Sequence, residues 1–316
     1  MKRLFHTLLC VIFVVLSCHQ PFAQEKNNDV LRILAIGNSF SDDAMEYLPA
    51  LLENLEVNNV EIARLYVGGC SLERHVAFHN KGEAPYIFNL SKAGENRWKE
   101  QKGTYSLKQV LTMGEWDIIT LQQQSGAAGI YDSFEPYLGE LIALIKQMQP
   151  RARIAWHMTW SYSANSNHND YPRYDKNQLK MLQAIHSATS SAQKAHPEIE
   201  IIIPAGTAIQ SLRNSAINNY PKDLTRDGYH MGFGAGRYAL ACTWYEELIK
   251  PYTKISMAGN TLRINNGNIA VTPIIAAYCQ KAAKMAAKKE FTVKQVKHIG
   301  RYLHKAEKRK SHKVIE

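Results

Sequence analysis

The stretch LRILAIGNSF, residues 31–40, decides the fold. Its first six positions are apolar except for Arg32 and lack strict polar alternation, which predicts a β-strand buried on both faces of a sheet. The run ends in Gly37-Asn38-Ser39, and residues 44–55 then repeat apolar side chains at helical spacing. A buried strand that leads directly into a helix favours an α/β fold with a mainly parallel sheet.

Four further segments have strand character and are separated by helical patterns. The strand candidates are VEIARLYV (60–67), DIITLQQQ (117–124), RIAWHMTW (153–160) and IEIIIPA (199–205), and the clearest helical stretches are 135–149 and 175–196. This alternation predicts one domain over residues 30–250, with a mainly parallel sheet covered by helices on both faces. Residues 72–105 break the rhythm and are expected to form an inserted loop region that overhangs the site.

The first 24 residues have the layout of a secretory signal peptide. Lys2 and Arg3 precede an apolar stretch that is too short to span a bilayer. Cleavage near Ala23 would release an exported, periplasmic protein, which is the outcome that we favour. Lipid modification of Cys18 is the alternative, and it would anchor the chain to a membrane.

Residues 251–316 are expected to form a docking helix followed by a basic tail. Thr272 and Pro273 have the features of a helix cap and a first helical residue. From Lys281 onward there are 12 Lys and Arg residues against 3 Asp and Glu, whereas the whole chain carries a formal charge of +10. A nucleic-acid-binding domain would carry this charge on its fold, so we expect no nucleic-acid partner. The tail is either a solvated helix or a contact with an anionic membrane or polysaccharide.

Ser39 is the first candidate for chemistry. A serine that follows a buried parallel strand can present its hydroxyl at the sheet edge, beside the free N–H groups of the next helix. This geometry suits a nucleophile whose reaction develops a negatively charged oxygen. By itself, the same residue is better explained as part of a helix cap.

Asp227 and His230 lie three residues apart, just before a long helical pattern. On a short loop, this spacing lets the carboxylate orient the imidazole and stabilise the cation that forms during proton transfer. Gly228 between them permits a tight backbone. An isolated Asp-x-x-His is also common in surface loops, so the pair gains meaning only together with Ser39.

Two other strand ends provide candidate donors for an oxyanion hole. Gly69, in YVGGCSL, can expose a backbone N–H, and the QQQ of residues 122–124 can offer a side-chain amide. We assign the oxyanion hole to Ser39, Gly69 and Gln124, with Gln123 as a substitute. A structural hydrogen-bonding role for these glutamines is the alternative.

The order of these features resembles the SGNH (GDSL-like) hydrolase superfamily, and within it a branch of exported bacterial proteins with an IGNSFS first block. The similarity spans about residues 30–250 in organisation and is specific in motif at Gly37–Ser41 and Asp227–His230. The usual Gly-Asp-Ser-Leu is Gly-Asn-Ser-Phe here. The usual Gly-x-Asn-Asp block is absent, and QQQSG stands in its place.

The resemblance implies a three-layer, flavodoxin-like sandwich and serine-dependent ester hydrolysis, with Ser39 as nucleophile, His230 as base and Asp227 as its partner. We expect acetyl or other short acyl groups on small molecules or glycans as substrates, with Asn38, His157 and Trp160 in substrate binding. We expect no cofactor and no metal, because no histidine pair has zinc-site spacing. The alternative is a catalytically silent carbohydrate- or envelope-binding protein with the same fold.

Overall fold

A computed structural model describes residues 30–95, 97–219, 221–266 and 269–313 of the chain. The expected signal peptide of residues 1–24, with the candidate lipidation site Cys18, lies outside the described residues. Within the described ranges, no helix combines the length and the apolar character needed to cross a membrane.

Five strands form the parallel part of the main sheet. They are β1 (Leu31–Gly37), β2 (Val60–Tyr66), β5 (Ile118–Leu121), β6 (Arg153–His157) and β7 (Ile199–Ile203). Their spatial order is β2-β1-β5-β6-β7, the flavodoxin-like arrangement. Each coincides with one of the five predicted segments. β1 is central, and Ile33, Leu34 and Ile36 are at most 1% exposed because helices cover both faces.

The insertion at residues 72–105 differs from the prediction, because it is largely structured. It contains α3 (Leu72–Asn80), β3 (Ile87–Ser91) and β4 (Lys99–Glu100). The two strands extend the sheet beyond β2 in antiparallel orientation and give the order β4-β3-β2-β1-β5-β6-β7. Phe88 and Leu90 alternate with polar residues over too short a stretch to predict a strand from the sequence.

The remaining helices are α1 (Ser39–Met45), α2 (Leu48–Asn54), α4 (Leu107–Leu111), α5 (Tyr137–Met148), α6 (Gln178–Ala195), α7 (Ala205–Arg213), α8 (Ala235–Trp244), α9 (Lys250–Thr253), α10 (Pro273–Lys288) and α11 (Gly300–Lys313). A π-helical turn, Tyr245–Ile249, joins α8 to α9. α1, α7, α8 and α10 pack with one another, while α3 packs against α4 and α5. The predicted three-layer α/β/α sandwich with a mainly parallel sheet is therefore confirmed.

The C-terminal region adds one buried helix to this framework. Thr272 caps α10 by accepting a hydrogen bond from the Ile275 N–H, and Pro273 is the first residue of the helix. α10 packs on α7 and α8 through small buried residues such as Ala276 and Ala283. A short hairpin, β8 (Asn265–Asn266) and β9 (Ile269–Ala270), precedes it.

Candidate active site

Ser39 stands where β1 ends and α1 begins. Asn38 adopts an extended backbone at the N-cap, and its side-chain oxygen accepts the N–H of Phe40 at 3.0 Å. This cap turns the chain sharply from the buried strand into the helix, so the half-buried Ser39 is the first helical residue at the carboxyl edge of the sheet.

Asp227 and His230 lie on the loop that leads to α8. One oxygen of Asp227 accepts the backbone N–H groups of Tyr229 at 3.1 Å and His230 at 2.7 Å. Gly228 lies between them with φ of 92°, a left-handed conformation that suits glycine. The loop is thereby closed by the same carboxylate that faces the imidazole.

The three side chains form a continuous hydrogen-bonded relay. Ser39 Oγ lies 2.8 Å from His230 Nε2, and Asp227 Oδ2 lies 2.7 Å from His230 Nδ1. Burial raises the pKa of Asp227, but the hydrogen bonds from the His230 side chain and from the two backbone N–H groups outweigh it and leave the pKa below its usual value. The carboxylate is therefore ionised at neutral pH and can stabilise an imidazolium at His230.

The turn after β2 brings a second backbone donor to this edge. Gly37 and Tyr66 are register partners at the ends of β1 and β2, so the turn that follows Tyr66 lies beside Ser39. Gly69 is exposed there with φ of 57°, and its N–H donates no hydrogen bond among the described residues. The Ser39 N–H, at the first position of α1, has none either. Both backbone N–H groups are therefore candidate donors to an oxyanion.

The assignment of Gln124 to the oxyanion hole, with Gln123 as substitute, is not supported by the geometry. Gln124 Nε2 donates to Asp170 at 3.3 Å, and its Oε1 caps a 3₁₀ turn by accepting the Ala127 N–H. Gln123 Nε2 donates to Ser133, and its Oε1 accepts the Leu72 N–H at 3.1 Å. Both amides are already used in holding loops together, which is the structural alternative left open by the sequence.

Gln122, which the sequence analysis did not single out, is the glutamine that reaches the site. Its Nε2 donates to Asn38 Oδ1 at 2.7 Å, and its Oε1 accepts from Ser41 Oγ at 2.5 Å and from His157 Nδ1 at 2.9 Å. Asn38 Nδ2 in turn donates to Cys70 O at 3.0 Å, which ties the Gly69 turn to the same network. Gln122 is 1% exposed, so it belongs to the buried network that holds Asn38 and, through Asn38, the turn of Gly69 and Cys70.

The proposed substrate contacts Asn38, His157 and Trp160 are all buried and at most 1% exposed, so direct contact with a substrate is not supported. Burial lowers the pKa of His157 to about 3, so the ring is neutral and donates through Nδ1 to Gln122. Trp160 stacks on Phe40 with ring centroids 4.2 Å apart and donates Nε1 to Tyr229 O at 2.7 Å. Together with Gln122, these three residues form the buried floor of the site, since Gln122 bonds to Asn38 and His157, and Trp160 stacks on Phe40 of α1.

Aromatic side chains that the sequence did not single out border the relay. Tyr229 packs against His230 with ring centroids 4.2 Å apart and against His168 at 4.7 Å. His168 Nδ1 accepts the Asp170 N–H at 3.1 Å, which fixes the loop beside Gln124. Both rings are only partly buried. Tyr229 and His168 lie on two loops that are distant in the chain, so no local sequence pattern predicts that their rings meet.

The family model described as a domain of unknown function, DUF4886, matches residues 32–279. The chain belongs to the DUF4886 family. A crystal structure of a DUF4886 family protein from Bacteroides uniformis is 36% identical in sequence, covers 85% of this chain and 98% of its own, and has a TM-score of 0.75. The family match contains all three residues of the relay and extends into α10.

More distant solved structures also match this DUF4886 chain. An inferred SGNH hydrolase from Slackia heliotrinireducens is 18% identical, with a TM-score of 0.45 and coverage of 67% of this chain and 95% of its own. An acetylxylan esterase mutant from Geobacillus stearothermophilus is 12% identical, with a TM-score of 0.45 and coverage of 71% and 96%. Likeness at this level carries no information on activity. A search of curated proteins gives no match.

Proposed function

We propose that this DUF4886 protein is a serine esterase of the SGNH type that uses Ser39, His230 and Asp227. The observation that carries the proposal is the relay itself, with 2.8 Å between Ser39 Oγ and His230 Nε2 and 2.7 Å between His230 Nδ1 and Asp227 Oδ2. A structural role alone gives no reason for a half-buried serine hydroxyl, an imidazole and an ionised carboxylate to line up at an exposed sheet edge.

The first half of the reaction acylates Ser39. Its hydroxyl attacks the ester carbonyl while His230 Nε2 takes the proton, and Asp227 stabilises the imidazolium that results. The carbonyl oxygen becomes an oxyanion, which the N–H groups of Ser39 and Gly69 can stabilise. When the tetrahedral intermediate collapses, the C–O bond to the alcohol breaks, and the proton on His230 passes to the leaving alkoxide.

The second half returns the enzyme to its starting state. Water gives a proton to His230 and attacks the acyl carbon, forming a second tetrahedral intermediate held by the same two N–H groups. Its collapse breaks the bond to Ser39 Oγ, which recovers the proton from His230. The products are a carboxylic acid and the free serine.

We assign acetyl or similarly short acyl groups on carbohydrates as the substrates. The floor beneath Ser39 is filled by the hydrogen-bonded side chains of Asn38 and Gln122, so it supports a short acyl group better than a long chain. Gly69 and Asp227 are exposed, so the sheet edge at Ser39 is open to solvent and can admit an ester of a bulky alcohol. The partly exposed ring of Tyr229 provides a surface on which a sugar can stack.

Labelling of the full chain with a fluorophosphonate probe tests the nucleophile. The parent and a Ser190→Ala control, in which an exposed serine on α6 is removed, should both be labelled. Ser39→Ala should not be labelled, and its hydrolysis of a small acetate ester should fall about 1,000-fold or more. Equal labelling of Ser39→Ala and parent would contradict the proposal.

A panel of acetylated oligosaccharides and of esters with acyl chains of increasing length tests the substrate assignment. We expect kcat/KM to fall as the acyl chain lengthens, because the filled floor of the site leaves no room for a longer chain. A preference for long chains would overturn this assignment while leaving the nucleophile intact. A parent that binds glycans but is neither labelled nor hydrolytic would be the silent binding protein.

A further inference from the structure

Asp43 lies on α1 one turn after Ser39, and it is 1% exposed. Residues four apart in a helix share a face, so the carboxylate lies on the same side of α1 as the nucleophile. Neither the sequence motifs nor the relay assign it a role. The side chain nevertheless collects the densest set of charged hydrogen bonds beside the site.

Four donor atoms from one segment make five contacts with this carboxylate. Arg226 Nη1 lies 2.9 and 3.1 Å from its two oxygens, and Arg237 places Nε at 2.9 Å and Nη2 at 2.7 Å from Oδ1. The backbone N–H of Met231 donates to Oδ2 at 2.8 Å. Residues 226 to 237 comprise the loop that contains His230 and the first turn of α8. The Arg226 and Met231 bonds therefore join the nucleophile helix to the loop of the base, and the Arg237 bonds join it to the start of α8.

Arg226 also fixes the loop internally. Its Nη1 donates to Met231 O, and its backbone N–H donates to His230 O at 3.0 Å. The guanidinium groups of Arg226 and Arg237 lie 4.9 and 4.7 Å from the ring of Phe233. The cluster therefore brackets His230 on both sides, with Asp43 as its anionic centre.

We propose that Asp43 is a positioning residue that sets the distance between the Ser39 hydroxyl and the His230 imidazole. The inference rests on the proposed function. Ser39 and His230 are 191 residues apart in the chain, and their contact is one 2.8 Å hydrogen bond. Asp43 holds the two segments together through charge-assisted bonds that never touch the reacting atoms.

Removal of the charge has a specific consequence for the relay. Arg226 is adjacent in sequence to Asp227, whose carboxylate is partly exposed. Without Asp43, the Arg226 guanidinium loses its buried partner, and the carboxylate of the next residue, Asp227, is an alternative in the same loop. Pairing of Arg226 with Asp227 would compete with the hydrogen bond that orients His230. A displacement of about 1 Å in such a group can cost about 100-fold in rate.

Asp43→Asn tests the proposal, because it keeps the shape and an acceptor for the Met231 N–H but removes the charge. We expect kcat for an acetate ester to fall about 100-fold, with KM changed by less than about three-fold, since substrate contacts are intact. Glu246→Gln is the matched control. Glu246 is also a buried carboxylate, 7% exposed and paired with Lys250, in the π-helical turn that follows α8. Glu246→Gln should lower the free energy of unfolding but leave kcat unchanged.

A crystal structure of Asp43→Asn supplies a readout that does not depend on activity. We expect the Ser39 Oγ to His230 Nε2 distance to exceed hydrogen-bonding range, above about 3.5 Å. Retention of that bond overturns the proposal, even if the parent enzyme proves inactive and the proposed function fails separately. Retention of the parent kcat overturns it as well.

Arg226→Gln covers the case in which Asp43→Asn does not fold. The Arg226 side chain is 26% exposed, so its loss leaves less uncompensated buried charge than the loss of Asp43. We expect about a ten-fold fall in kcat with the same lengthening of the Ser39–His230 contact. An Arg226→Gln variant with parent kcat and parent geometry contradicts the positioning role.

Discussion

Gln122 Nε2 donates to Asn38 Oδ1 across 2.7 Å and so joins the end of β5 to the residue that precedes the candidate nucleophile. The same glutamine accepts from Ser41 and His157, so one side chain satisfies three buried partners. Buried polar groups are stable only when they are hydrogen-bonded, and a network of this kind fixes a single arrangement. The shape of the site is therefore set beneath Ser39 as well as around it.

Gln122→Leu should be strongly destabilising. It removes one of the two donors to the Asn38 oxygen and leaves the buried Ser41 hydroxyl and His157 N–H without their acceptor. We expect the free energy of unfolding to fall by about 3 kcal/mol or more, measured by denaturant titration. A loss below about 1 kcal/mol would show that the network reorganises at little cost.

Gln124→Ala should barely affect catalysis. Its amide donates to Asp170 and caps a turn, so it lies outside the oxyanion hole. We expect kcat within about three-fold of the parent, whereas loss of an oxyanion donor costs about 100-fold or more. A 100-fold loss in steady-state hydrolysis of an acetate ester would restore the assignment of Gln124 made from the sequence.

Asp227→Asn should lower kcat about 1,000-fold or more. The variant can keep its acceptor for the Tyr229 and His230 N–H groups, but the amide nitrogen opposite His230 Nδ1 favours the wrong tautomer and cannot stabilise an imidazolium. Activity should therefore fall much further than stability, and the two are measured by ester hydrolysis and thermal melting. Equal losses in both would indicate that the carboxylate only holds the loop.

His75→Gln should weaken the acid sensitivity of the fold. His75 is fully buried with Nδ1 2.8 Å from Tyr86 Oη, and burial, aided by the nearby Arg74 charge, lowers its pKa to about 3. Between pH 6.5 and 3 the unfolded chain binds a proton at this position and the folded chain does not, so the folded state loses stability as the pH falls. Between about pH 7 and pH 5, this proton uptake lowers the free energy of unfolding by about 2 kcal/mol. His75→Gln should not show this loss.

The measurement is a pair of denaturant titrations at the two pH values. His304→Gln is the control, because it removes a histidine whose side chain is 65% exposed. An unchanged pH dependence in His75→Gln would mean that the buried ring takes up its proton in the folded state.

The sequence by itself determined the layers of this protein. Continuous apolar runs such as residues 31–36 can be buried only between two layers of helices, and their alternation with helical patterns leaves few arrangements other than a mainly parallel sheet. It also placed Ser39 and the Asp227–His230 loop at chain positions that such a sheet brings to its carboxyl edge. The sequence did not predict the antiparallel edge formed by β3 and β4, because short edge strands carry little periodicity.

Only the tertiary structure decided which of the three glutamines faces Asn38. It also decided that His157 and Trp160 lie beneath the site and that Asp43 binds the segment of His230. Each of these depends on the direction of a side chain at the end of a strand or helix, where a shift of one residue exchanges a buried position for an exposed one. Local sequence encodes which segments become strands and helices. The orientation of polar groups at their ends is set by partners that come from elsewhere in the chain, as Gln122 and Asn38 do.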